Sequence, residues 1–311
     1  PPPAPAPLQA PGVGRACPLR VAVPILLRRS ALNLARQPAL LWTRCAQGVL
    51  SAVLTSLVVG HLGRTQADIT RRIGVLQNVI NFGLVTGVVN NMAMFVPERD
   101  VFLRESADGL YTAAPFLLVY MCAELATTVL SSSLAGMWIV LGTGLKHDAS
   151  ALATCVIVMS ACLFTGETVG VCFNSVVRHA GFSLNLVLSL YQLLSLAGGL
   201  LFVAMPVAVK YASAWSPVTY AARALALSQF TPDETFDCSG RTSSPCMATG
   251  TDVLSMLDLS DAGTLQANVM RLMLLCVVYR LASFGVLACS TAAEARPPPR
   301  RPPGAGGSGA R

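Results

Sequence analysis

The sequence predicts an all-α polytopic membrane protein with six transmembrane helices, an N-terminal interfacial helix and a long extracellular loop before the last helix. Three observations predict it. Of 311 residues, 53% are hydrophobic and only 12% charged, with a mean hydropathy of +0.60; a soluble domain carries about 25% charged residues. The charge is also unevenly spread, and Ala149 to Gly166 and Ala180 to Val209 contain none. Uncharged runs of about 20 residues are what a bilayer core requires of a helix. A soluble helical protein with this composition would have almost nothing left to face water.

Taken in order, residues 1–20 form a Pro/Ala-rich tail without the apolar core and small-residue cleavage site of a signal peptide. From Val21 to Leu40, Arg28, Arg29 and Arg36 sit among Leu26, Leu27, Leu32 and Leu34, while Leu27, Leu34 and Leu41 recur at heptad spacing. That suits a helix lying in the interface with its arginines toward phosphates, the alternative being a plain juxtamembrane linker. Pro38 marks its end. Spans are predicted near 41–62, 73–96, 113–141, 149–177, 183–209 and 269–289, making 21–290 one membrane domain. Two connections are long: the charged segment Pro97 to Thr112, and Lys210 to Asn268, which holds Cys238 and Cys246. Residues 291–311 form a Pro/Arg/Gly-rich tail that, like the first, cannot bury a core and is expected to be disordered.

Orientation follows from arginine and lysine in the short connections. With the N-terminus inside, the inner segments hold Arg28, Arg29, Arg36, Arg99, Arg104 and Arg178 with the C-terminal arginines. The short outer ones hold Arg64, Arg71, Arg72 and Lys146. Both ends are then cytosolic, and the loop of Cys238 and Cys246 faces an oxidising compartment, where a disulfide between them is expected. The other eight of the ten cysteines include Cys155, Cys162, Cys172 and Cys276 within spans and read as small packing residues. The net charge of +7 reflects this topology rather than nucleic-acid binding, since no basic run is interleaved with stacking aromatics.

The chemistry the sequence excludes is equally informative. A P-loop needs a Gly-rich turn ending in Lys-Ser/Thr. The two lysines, Lys146 and Lys210, precede His147 and Tyr211. No G-x-S-x-G elbow, H-E-x-x-H helix or metal-ligand spacing occurs, so no catalytic, cofactor or metal residue is named. Three ionisable residues stand out inside predicted spans: Glu124, Glu167 and Arg280. Charge in a bilayer finds partners in the protein interior, so Arg280 is expected to pair with Glu124 or Glu167, snorkelling to inner headgroups being the alternative.

Several segments together resemble the membrane domain of the white/pigment-type G subfamily of ABC transporters: Arg29-Ser-Ala-Leu-Asn-Leu-Ala-Arg-Gln-Pro38, Glu98-Arg-Asp-Val-Phe-Leu-Arg-Glu105 with Gly109-Leu-Tyr111, Gly144-Leu-Lys-His-Asp148, and Phe236-Asp-Cys238 through Cys246 to Thr249-Gly-Thr-Asp-Val-Leu254. The resemblance runs from about residue 20 to residue 290. It implies an exporter of lipids, sterols or other hydrophobic molecules, working as a homo- or heterodimer of half-transporters. ATP and Mg would bind a nucleotide-binding domain supplied by another domain or chain, in the plasma membrane or an organelle membrane. It also implies a coupling loop holding Glu98, Arg104 and Glu105, a substrate cavity near Asn81, Phe82, Val85, Gln192 and Ser195, and a plug at Leu200 and Leu201. The bland alternatives are a solvated loop and ordinary helix packing. A non-transporting regulatory subunit of half-transporters is the second functional expectation.

Overall fold

A computed structural model of the chain describes residues 17–177, 179–198, 200, 211, 213–238, 246–259 and 261–294. Its helices are α1 (Leu19–Arg36), α2 (Pro38–Val59), α3 (Gln66–Ala107), α4 (Ala113–Thr143), α5 (Ala149–Val176), α6 (Ala180–Gly198), α7 (Pro217–Gln229), α8 (Gly250–Met256) and α9 (Leu265–Glu294). Five of them, α2, α3, α4, α5 and α9, are long and apolar enough to cross a membrane, and Gly181–Leu193 within α6 is a shorter apolar stretch. The protein is an all-α polytopic membrane protein. The expected span 183–209 is helical as far as Gly198, and residues 201–210 lie outside the described residues. So do most of the two expected tails, although Leu19, Arg20 and residues 291–294 belong to α1 and α9.

Local chemistry sets the ends of these helices. Pro38 occupies the first turn of α2, where a missing N–H costs nothing. Thr65 and Asp68 form a capping box on α3, as Thr249 and Asp252 do on α8. Gly144, at φ 73°, takes the left-handed conformation that closes α4.

Packing separates lipid-facing from inward faces. On α9, Met270, Leu274, Val277 and Leu281 are exposed at helical spacing, while Leu272, Cys276, Arg280, Ser283 and Leu287 are buried on the other side. Helices α3 and α5 touch backbone to backbone through two glycine pairs, Gly83/Gly87 and Gly166/Gly170. A Cβ built on Gly166 would lie 3.0 Å from the Gly87 Cα, and one built on Gly83 would lie 2.8 Å from the Cys162 Cβ. Small residues four apart are what allow membrane helices to approach so closely.

Two sequence expectations change. The segment Pro97 to Thr112 is mostly not a loop: α3 runs through Pro97 to Ala107 and turns only at Gly109, φ 75°. At 1.5 Å per residue its 42 residues span about 63 Å, twice the bilayer core, so its end projects beyond the membrane. Burial explains the continuity, because Phe95 and Phe102 on its last turns pack with Phe116, Tyr111 and Tyr120. The segment Lys210 to Asn268 is not a simple loop either. It contains α7, whose Ala221, Ala222, Ala224, Leu225 and Ala226 are core residues, and α8.

Candidate transport and coupling sites

At the projecting end of α3, Glu105 is held from two sides. Arg29 Nη1 of α1 donates to Glu105 Oε1 at 2.7 Å, and the Tyr111 hydroxyl donates to Glu105 Oε2. The backbone closes around them, with Leu110 N donating to Glu105 O at 3.1 Å and Cys17 N to Leu110 O at 3.0 Å. Burial, and then the neighbouring Glu105 carboxylate, push the Tyr111 phenol well above its ordinary value, so it stays a donor. Of the other two expected coupling residues, Arg104 is exposed and Glu98 is half-buried at the edge of a partly open cavity. The three do not form one cluster.

In the interior, all three ionisable residues singled out in the sequence are buried, but their pairing differs from the expectation. Glu124 is bound by Arg44 of α2, which donates Nη1 to Oε2 at 2.6 Å and Nη2 to Oε1 at 3.1 Å, with a further bond to Thr127 Oγ1 at 2.9 Å. Arg280 reaches neither carboxylate with an ion pair among the described residues. Its guanidinium lies 4.5 Å from the Phe164 ring centroid and donates to Thr168 Oγ1 at 3.4 Å. The reason is register: the buried face of α9 meets α5 at Phe164 and Thr168, whereas Arg44 enters from α2 with a fork that matches a carboxylate. Glu167 accepts from Thr128 Oγ1 at 3.1 Å. Nearby, Asn174 Nδ2 donates to Asn91 Oδ1 at 2.9 Å, Asn91 Nδ2 donates to the Tyr120 hydroxyl at 3.3 Å, and Arg99 donates to the Asn174 carbonyl.

The expected cavity residues divide. Asn81 and Ser195 meet, with Ser195 Oγ donating to Asn81 Oδ1 at 2.6 Å. The side chain that organises them is Gln77. Its amide nitrogen donates to Asn81 Oδ1 and Ser195 Oγ, both at 3.1 Å, and its oxygen accepts from Leu200 N at 2.8 Å. Phe82 is half-buried against the core, while Val85 and Gln192 lie exposed on α3 and α6. Leu200 is buried; Leu201 lies outside the described residues. Gln77 is one turn before Asn81, and a second amide at i−4 was the signal for it.

At the opposite end of α3, Cys238 and Cys246 are disulfide-bonded. The residues flanking the bridge are fastened to the start of α3, with Gln66 Nε2 donating to Met247 O at 2.8 Å and Asp237 N to Arg64 O at 2.7 Å. Among the described residues no group of three His, Cys, Asp or Glu side chains could hold a metal ion.

Known proteins are similar to this chain in sequence. Over 254 residues the chain is 28% identical to an uncharacterised ABC transporter ATP-binding protein/permease of Saccharomyces cerevisiae, covering 79% of this chain and 19% of that protein. It is 25% identical over 159 residues to ABC transporter G family member 5 of Arabidopsis thaliana (50% and 24%). It is also 25% identical over 215 residues to the human ATP-binding cassette sub-family G member 5 (66% and 32%). The chain thus spans between 19% and 32% of the length of these relatives. The sequence pattern of the ABC-2 type transporter matches residues 22–230, from α1 through α7. The chain therefore belongs to the ABC-2 type transporter family, as a membrane domain whose relatives are G-family ABC transporters.

Proposed function

We propose that this membrane domain moves lipids, sterols or other hydrophobic molecules outward across a membrane, driven by ATP hydrolysed on a nucleotide-binding domain of another domain or chain. It works as a homo- or heterodimer with a G-type half-transporter, and ATP and Mg bind the partner domain. The observation that carries this reading is the Arg29–Glu105–Tyr111 node at the projecting end of α3. A force applied there acts on a helix that continues without a break past Pro97 into the bilayer. A rigid element with two arrangements is what converts motion in one domain into opening in another. The Gln77–Asn81–Ser195 cluster on an otherwise apolar wall supports an amphipathic cargo, since a few fixed polar groups orient a ligand without strict fit.

The test is reconstitution in proteoliposomes with a G-type nucleotide-binding domain, following a fluorescent lipid. ATP-dependent movement that falls at least tenfold in Glu105→Gln, with the disulfide and oligomeric size unchanged, supports the proposal. Movement independent of ATP, or untouched by the substitution, overturns it.

A further inference from the structure

Between α1 and the adjoining ends of α2, α3 and α4 lies a cavity of about 550 Å³, within the ~300–1,000 Å³ of small-molecule pockets. It is separate from the α3–α6 wall. Leu26, Leu41, Met94, Phe116 and Val119 give it apolar sides, and Arg29, Arg44, Glu98 and Glu124 also line it. Arg44 gives both terminal nitrogens to Glu124, and Arg29 gives one to Glu105. Among the described residues no hydrogen bond or ion pair reaches Glu98, which shares the cavity with Glu124, Arg29 and Arg44. Ser30, Asn33, Gln37 and Thr127 complete the polar lining, so the charged group left without an ion pair is a carboxylate.

We propose that this chamber binds a single-chain amphiphile with a cationic head, its ammonium against Glu98 and its hydrocarbon along Leu41, Met94 and Val119. Other occupants fit less well. A fatty acid would set a carboxylate beside Glu98 and Glu124. A phosphodiester lipid would set its anion beside Glu98 and Glu124, with Arg44 already bound to Glu124. A neutral sterol leaves Glu98 unmatched, and an inorganic cation leaves the apolar walls wet. An alcohol could donate to the same carboxylate, but the ammonium adds a full opposite charge, which favours the amine of equal length by about tenfold or more. The site stands or falls independently of whether the chain transports anything.

The experiment uses the full chain in phosphatidylcholine nanodiscs and three C18 probes carrying the same mid-chain diazirine: a primary amine, an alcohol and a carboxylate. The amine is expected to label the peptides of Leu41 and Met94 at least tenfold more than the other two. Glu98→Gln is expected to lower that labelling at least fivefold, and Glu98→Asp to keep most of it. Equal labelling by all three probes in the unaltered chain, or labelling unchanged in Glu98→Gln, would overturn the proposal. So would loss of amine labelling when phosphatidylethanolamine replaces phosphatidylcholine, because a two-chain lipid headgroup would then be the occupant.

Discussion

Glu124→Ala removes the carboxylate that takes two guanidinium donors of Arg44. The two side chains are 6% and 3% exposed, so solvent screening is weak, and breaking such a pair costs about 3–5 kcal/mol because a buried charge is left behind. The pair borders a partly open cavity, which places the expected cost near the lower figure, about 3 kcal/mol, or about a hundredfold in the folded-to-unfolded ratio. Arg44→Met should cost about as much by stranding Glu124. Replacing both, in Arg44→Met/Glu124→Leu, leaves neither member of the pair behind as an orphan charge and fills similar volume, so the double variant should cost less than either single one. The assay is reversible unfolding in mixed micelles with sodium dodecyl sulfate, read by tryptophan fluorescence and analysed as a double-mutant cycle. Single losses below about 1 kcal/mol, or a double loss equal to their sum, would refute the reasoning.

Other perturbations follow from the same geometry. Arg280→Met strands no paired carboxylate and loses ring contacts with Phe164 and Tyr120, so it should cost only about 1 kcal/mol in the same assay. Gly166→Ala drives a methyl into the α3 backbone at Gly87 and should destabilise by at least about 1–3 kcal/mol, seen as a lowered unfolding midpoint. Cys238→Ser/Cys246→Ser opens a loop of sequence separation 8; the expected loss is about 2.5 kcal/mol, with faster proteolysis between α7 and α8. The raised Tyr111 phenol means the folded state holds a proton that the unfolded state releases above about pH 10. Its contribution is therefore full below pH 10 and is lost as pH rises from there; ultraviolet titration of Tyr111→Phe against the parent should show one fewer high-pH tyrosinate.

Most of the membrane body was legible in the sequence because a bilayer imposes hydropathy on every residue that faces it. The extension of α3 was not, since Pro97 and the charges from Glu98 to Glu105 read as a loop. What holds it helical is tertiary, namely Phe95 and Phe102 against α4. Helix α7 escaped notice for a different reason: its 13 residues are too short for a span, and its Ala-rich face is apolar only by contact. Of the interior polar groups, Glu124, Glu167 and Arg280 stood out as charges in apolar runs. Their pairing depended on helix register, and Arg44, equally a charge within a span, was the partner that register chose. The Gly83/Gly87 and Gly166/Gly170 pairs were readable as small residues four apart, but not which helix each would meet.

The exporter reading is tested most directly by purifying the chain with any ATPase polypeptide that accompanies it and measuring hydrolysis as the Arg29–Glu105–Tyr111 node is altered. The expected result is an ATP-binding cassette polypeptide or domain that co-purifies from native membrane. Its hydrolysis should rise with added lipid in the parent and lose that response in Glu105→Gln, while Arg280→Met keeps it. A chain that isolates without any ATPase, or an ATPase whose lipid response ignores Glu105, would contradict it.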